Sequence, residues 1–302
     1  MGQGAAPGGL GAVIIPSLSL PEPVSDSTTL PPRVLSIAGS DSGGGAGVQA
    51  DLKAFARCGV HGMTAITAIT AQNTVAVTAV YPVPGEAIVE QVRAVAEDIG
   101  VDAVKIGMLG SAETIEAVDR ALDLVGDAPV VLDPVMVAES GARLLDEDAE
   151  ASLRARLLPR VTVVTPNLPE GCALAQAGDD AEGEELVRAL HALGPDVVVL
   201  TGGHRDSATD LFFDGRQVAE IPGERHAHGA AHGSGCTHSS ALAAQLALGL
   251  EPLEAARVAK RIAADAVRDG LRGLGRGAGP VDVFGLTGRR GEAGAPPRTA
   301  VH

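Results

Sequence analysis

The chain has 302 residues, 45% of them hydrophobic, which is enough for a large core in one α/β domain. Its net charge of −15 sets it against nucleic acid and anionic membranes, whose phosphates an acidic surface repels. Three cysteines, Cys58, Cys172 and Cys236, form neither a CxxC pair nor a zinc pattern, which suits free thiols in a reducing cytoplasm.

Residues 1–32 are rich in Gly, Pro and Ser and read as a disordered tail. The apolar stretch at 10–15 is short and has no basic residues before it, so a secretory signal is not expected. Residues 33–286 read as one domain, and 287–302 as a second disordered tail. With Trp absent and a single Tyr, the core must be built from Val, Leu, Ile and Ala.

Through the domain, short β-branched runs alternate with longer Ala/Leu/Glu-rich segments. Strands are expected at 34–38, 64–70, 103–108, 130–132, 161–165, 197–201, 210–213 and 217–221. Helices are expected at 47–57, 85–99, 112–124, 147–158, 169–177, 182–192, 236–248 and 252–269. Apolar runs bounded by turns suit strands buried on both faces of a mostly parallel sheet between helices. The last two strands, separated by Asp214-Gly215-Arg216, read as a hairpin at a sheet edge.

Polar clusters fall at the carboxyl ends of these strands, where open α/β sheets bind ligands. They are Gly39 to Gly47, Ala71-Gln72-Asn73-Thr74, Asp133-Pro134-Val135-Met136, Thr165-Pro166-Asn167-Leu168-Pro169-Glu170 and Gly202-Gly203-His204. The first lacks the Gly-Lys-Ser/Thr of a P-loop and only approximates a dinucleotide fingerprint. Its glycines allow backbone to approach a small flat ligand. Asp51 either faces the same pocket or serves as a carboxylate early in a helix. Gln72 offers a donor and an acceptor to a heteroaromatic ring, whereas Asn73 reads as a turn residue. Asp133 and Glu170, with Asn167, form a carboxylate pair able to hold Mg²⁺ beside phosphates, or else act as a helix cap and surface charge.

Gly233-Ser234-Gly235-Cys236-Thr237 opens an apolar helix. Small residues there leave backbone N–H groups free for an anion, and the helix start is expected to lower the pKa of an exposed Cys236 thiol. The same residues also fit a glycine turn that merely starts a helix, or a Cys/His hydrolase. Of the surrounding His226, His228, His232 and His238, most read as solvated, with His232 nearest the site. Their spacing fits no standard zinc pattern. Cys58 and Cys172 read as packing residues.

Taken in order, these motifs resemble the hydroxymethylpyrimidine/phosphomethylpyrimidine kinases of thiamine biosynthesis. The likeness runs from Arg33 to Phe284. It includes Gly39 to Lys53, Gly62 to Ala68, Lys105-Ile106-Gly107-Met108-Leu109, the Asp133 and Asn167 motifs, His232 to Thr237 and Gly279-Pro280-Val281. The resemblance implies a ribokinase-like three-layer α/β/α sandwich, often dimeric, so a homodimer is expected. It implies two ATP-dependent steps, on the pyrimidine's hydroxymethyl group and then on the monophosphate. ATP and Mg²⁺ are the implied cofactors, with a monovalent cation as a further option. Cys236 matches the catalytic base, and Gly233, Ser234 and Gly235 match the anion hole. Gln72, Asp51, Gly39, Met108 and Val135 match the pyrimidine site, and Asn167, Glu170 and Asp133 the Mg-phosphate site. Two departures are Thr201 and Glu139, where relatives commonly carry Lys and Lys or Thr. The rival readings are a pyridoxal/pyridoxine kinase on the same scaffold and a non-catalytic ligand-binding paralogue.

Overall fold

The computed structural model of the chain describes residues 30–178, 181–202, 208–226 and 229–286. The chain divides into Met1–Leu30 and Pro31–His302, and the architecture is that of the second unit. Apart from 30–32, the tails expected at 1–32 and 287–302 lie outside the described residues, as do Gly203, His204 and His228.

The strands are β1 (Arg33–Asp41), β2 (His61–Gln72), β3 (Val77–Pro82), β4 (Ala103–Ile106), β5 (Val130–Leu132), β6 (Val163–Val164), β7 (Val197–Leu200), β8 (Asp210–Phe213) and β9 (Val218–Ile221). The helices are α1 (Gly47–Cys58), α2 (Gly85–Asp98), α3 (Ala112–Leu122), α4 (Glu147–Ser152), α5 (Leu168–Ala175), α6 (Gly183–His191), α7 (Ser234–Ala247) and α8 (Pro252–Arg268). The strands form one sheet in the order β3-β2-β1-β4-β5-β6-β7-β8-β9. β2, β1, β4, β5, β6 and β7 run parallel, while β3 at one edge and β8 against β7 are antiparallel. The expected edge hairpin is β8–β9.

Strand pleating sorts side chains into two cores, because successive residues point to opposite faces. Leu35, Ile37, Val104, Ile106, Leu132, Val164, Val198 and Leu200 pack with Ile88 and Val92 of α2, Ile115 of α3, Leu174 of α5 and Leu186 of α6. Val34, Val131, Val163, Val197, Val199 and Phe212 pack on the other face with Phe55 of α1, Ala241 to Ala244 of α7 and Ala256 and Ala259 of α8. Alanine faces let α7 and α8 lie close to each other and to the sheet. Tight helix packing thereby replaces the bulk that aromatics would supply.

The chain leaves β1 to one side for β2 and returns across β1 to β4. That reversal is a topological switch point, and it opens a crevice beyond the carboxyl ends of β1 and β4.

Three expectations change. β3 was not anticipated as a strand; it is mostly exposed and pairs on one side only. The helix expected at 147–158 is instead the short α4, a π turn at Leu153–Leu157 and a 3₁₀ turn at Leu158–Arg160. Pro159, which has no N–H to give, sits in that last turn and ends the run. The strand expected at 103–108 stops at Ile106, and Met108, two residues on, lines the crevice.

Candidate active site

Beyond the strand ends lies a cavity of about 260 Å³. Gly39 and Asp41 reach it from β1, Gln72 from β2, Met108 from the loop after β4, and Asp133 and Val135 from the loop after β5. Asn167 and Glu170 enter from the start of α5, and Gly233, Ser234, Gly235 and Cys236 from the start of α7. Every sequence-expected site residue except Asp51 lines this space, and Thr201 and Glu139 line it too.

Asp51 is fully buried beneath the site. Its Oδ1 accepts from Lys105 Nζ at 2.9 Å and Ser240 Oγ at 2.7 Å, and its Oδ2 accepts from Ser36 Oγ at 2.5 Å. It therefore ties α1, α7, β1 and β4 together and does not face the ring pocket assigned to it by resemblance. Lys105, which borders the cavity, was not singled out as a site residue. The clue was available: one lysine inside the apolar strand Ala-Val-Lys-Ile, a residue type rarely buried unless paired. Pleating places Lys105 on the α1/α7 face. Burial alone would push its ammonium down, but the Asp51 and Asp133 carboxylates outweigh that and hold it charged, above its ordinary value.

α7 begins at Gly233, whose φ of 84° puts it in the left-handed region that glycine tolerates. Ser234 donates its N–H to the Ala231 carbonyl at 2.9 Å. Gly235 and Cys236 follow in the first turn, where N–H groups have no carbonyl within the helix. Both residues line the cavity.

The thiol itself differs from expectation. Cys236 keeps partial exposure toward the cavity. Burial nevertheless pushes the thiol up to about 12; Lys105 and the Gly47 backbone pull it down, while Asp133 and Asp51 push it further up. Desolvation and two carboxylates thus overcome the helix start, and Cys236 rests as a thiol, not as the activated thiolate expected from its position alone.

Asp133 follows β5 directly, whereas Glu170, expected at a strand end, lies in the first turn of α5 after the neighbouring β6. Asp133 accepts from Ser239 Oγ at 3.0 Å. Burial raises its carboxyl, Lys105 and Ser239 oppose the rise, and Asp51 adds to it. Burial, with the Asp133 charge, pushes Glu170 up to about 8 against the N–H groups of Asn167 and Met136. Asn167 and Glu170 also close a capping box on α5: Glu170 N–H donates to Asn167 Oδ1 at 2.9 Å, and Asn167 N–H to Glu170 Oε2 at 3.0 Å. The cap reading and the site reading therefore hold for the same two residues. Two buried carboxylates, both raised chiefly by desolvation, are a donor set suited to a hard divalent cation. No group of three or more His, Cys, Asp or Glu able to hold a metal is present among the described residues.

A second cavity of about 200 Å³ meets the first at the start of α7, sharing Thr201, Ser234, Gly235 and His238. Asp210 lies against it, with Oδ1 accepting from Lys260 Nζ at 2.6 Å and from Gly202 N–H at 2.9 Å. His238, one of four histidines of which most were expected to be solvated, is buried on α7, 3.8 Å from Asp210. His226 lines this cavity as well. Asn73 fulfils its turn role, with Oδ1 accepting from the N–H groups of Val75 and Ala76.

A family described as phosphomethylpyrimidine kinase matches residues 41–282. The chain belongs to this family. The hydroxymethylpyrimidine/phosphomethylpyrimidine kinase of Rhizobium meliloti (strain 1021) is 50% identical over 257 residues, covering 83% of this chain and 96% of the relative. A solved phosphomethylpyrimidine kinase from Clostridium difficile 630 superposes with a TM-score of 0.68 at 39% identity, covering 76% of this chain and 96% of that one. The pyridoxal kinase of Staphylococcus aureus, in complex with AMP-PCP and pyridoxal, gives a TM-score of 0.76 at 34% identity, covering 85% and 94%. Like them, this phosphomethylpyrimidine kinase family member is ribokinase-like, with helices on both faces of a mostly parallel sheet. Lys105 lies under the site and Lys260 lines the second cavity, while position 201 is a threonine.

Proposed function

We propose that the chain uses ATP to phosphorylate the hydroxymethyl group of 4-amino-5-hydroxymethyl-2-methylpyrimidine, and then the resulting monophosphate. The observation that carries this is the meeting of two cavities at the first turn of α7. The acceptor ring occupies the larger cavity, between Gly39, Met108, Val135 and Gln72. The nucleotide lies along the second, past Thr201 and Ala263, and its γ-phosphoryl group crosses the Gly235 and Cys236 N–H donors. Preorganised donors at that crossing stabilise charge without reorganisation during transfer.

Asp133 and Glu170, partly through water, would hold Mg²⁺, which supplies positive charge to phosphate oxygens and cancels carboxylate charge beside the thiol. In the first step Cys236 takes the proton of the attacking alcohol as its thiolate, a form that burial, Asp133 and Asp51 disfavour at rest and that Lys105 and the Gly47 backbone support. In the second step the attacking phosphate oxygen is already ionised, so a base matters less.

Pyridoxal is the second acceptor to consider, because a solved relative with the same fold holds it. Phosphate transfer from ATP should be measured side by side with the hydroxymethylpyrimidine, its monophosphate and pyridoxal. Turnover of both pyrimidines at a kcat/KM above that of pyridoxal is expected. Preference for pyridoxal would replace the substrate assignment, and no turnover of any would favour a non-catalytic binding protein.

A homodimer and a cytoplasmic location belong to the same reading. The β2–β3 ribbon exposes Ile69, Val75, Val80 and Tyr81, which supports a partner surface. All three cysteines are free, and among the described residues no helix is long and apolar enough to cross a membrane.

A further inference from the structure

Asp41 ends β1 and is 1% exposed; His232, just before α7, is 8% exposed. Asp41 Oδ1 accepts from Gly43 N–H at 2.8 Å. Its Oδ2 accepts from Gly45 N–H at 2.9 Å and Ala46 N–H at 2.8 Å. The same Oδ2 lies 3.1 Å from His232 Nε2, across a separation of 191 positions in the chain. An ionised carboxylate only accepts, so Nε2 carries the hydrogen in this bond. Burial pushes the Asp41 carboxyl up, and His232 with the Ala46 and Gly43 N–H groups outweighs it, leaving the group below its ordinary value.

The backbones around this pair touch. A Cβ added to Gly233 would fall 1.8 Å from the Gly45 carbonyl oxygen, and one added to Gly45 would fall 2.2 Å from His232 Cδ2. His232 is held from behind, donating its N–H to the Gly279 carbonyl at 3.3 Å and accepting from Val281 N–H at 3.1 Å. The glycine loop after β1 borders the acceptor cavity, and the turn at Gly233 presents the phosphate donors. A buried hydrogen bond therefore links the glycine loop to the turn that opens α7, beside the bond between the Gly47 backbone and the Cys236 thiol.

We propose that Asp41 and His232 form a positioning pair, which clamps the glycine loop to the first turn of α7 and fixes the acceptor hydroxyl's distance from the phosphate cradle. The inference rests on the kinase reading above. Neither residue moves a proton of the reaction. Their effect is on reach, and misplacement of reacting groups by about 1 Å can cost about 100-fold in rate.

The test compares His232→Ala with His232→Gln, whose side-chain amide can still donate to Asp41. In His232→Ala, kcat for the pyrimidine should fall about 30-fold or more while its KM changes by less than about threefold. His232→Gln should recover kcat to within about fivefold of the wild type. Gly45→Ala serves as an independent variant: its methyl wedges against the His232 ring and should also lower kcat, but should add little in the His232→Ala background. If His232→Ala does not fold, the Gln and Gly45→Ala enzymes decide the matter by the same kcat criteria. A kcat within about threefold of wild type in folded His232→Ala, or no rescue by Gln, overturns the positioning pair. Absence of turnover by the wild-type chain overturns the kinase reading, and the pair's proposed role falls with it.

Discussion

Glu170 carries two duties that pull its proton in opposite directions. As the partner in the α5 capping box it accepts from Asn167 N–H, which favours the carboxylate. As neighbour to Asp133 in a buried site it is pushed from 4.5 to about 8. A carboxyl raised on folding keeps a proton that the unfolded chain releases. Stability contributed by this group is therefore lost as pH rises from 4.5 towards about 8, and the loss levels off above that. Glu170→Gln keeps an acceptor for the cap and removes the ionisation. In urea unfolding between about pH 5 and pH 9, the wild type should lose stability more steeply than Glu170→Gln. Mg²⁺ should restore the wild type and leave the variant unmoved. Equal slopes in the two proteins would contradict the raised Glu170. Cys236 shows the same competition at a thiol: the helix start that makes a cysteine reactive on paper is outweighed by burial and two carboxylates.

The β2–β3 ribbon is where sequence reading and structure part most clearly. Central strands were legible because both faces are buried, so β5 and β7 read as unbroken apolar runs and β4 as one interrupted only by Lys105. β3 pairs on one side and leaves Val80 and Tyr81 exposed, so its sequence carries little burial pattern to read. α5 was placed to within a residue at its start, where Asn167, Pro169 and Glu170 spell out a cap. The place of Asp51 beneath the cavity was not legible, because its partner Lys105 lies 54 positions away and no local pattern reveals that pairing. The Asp41–His232 bond was hidden for the same reason. The exposed ribbon also predicts association. Sedimentation should give a mass near twice the 30.3 kDa chain, and Tyr81→Lys should shift it towards the monomer. A wild-type chain that sediments as a monomer at micromolar concentration would contradict a homodimer through this ribbon.

At the scale of the whole molecule, the sheet's switch point and the start of α7 do most to define the function. Crossing over between β1 and β4 opens the acceptor cavity, and α7 drives its first turn into the boundary with the second cavity. The cluster of Lys105, Asp51 and Ser240 holds that turn from below, while Asp41 and His232 hold it from the side. An acidic surface with a net charge of −15 makes the site's local cations and N–H donors the sources of attraction for phosphate. The central claim is that Cys236 serves the alcohol step as proton acceptor while the surrounding donors serve both steps. It is tested most directly by single-turnover rates for the two phosphorylations in wild type and Cys236→Ala. The first should fall about 100-fold or more, the range for loss of a general base, and the second less than about tenfold. Equal losses in the two steps would contradict the assignment of the base.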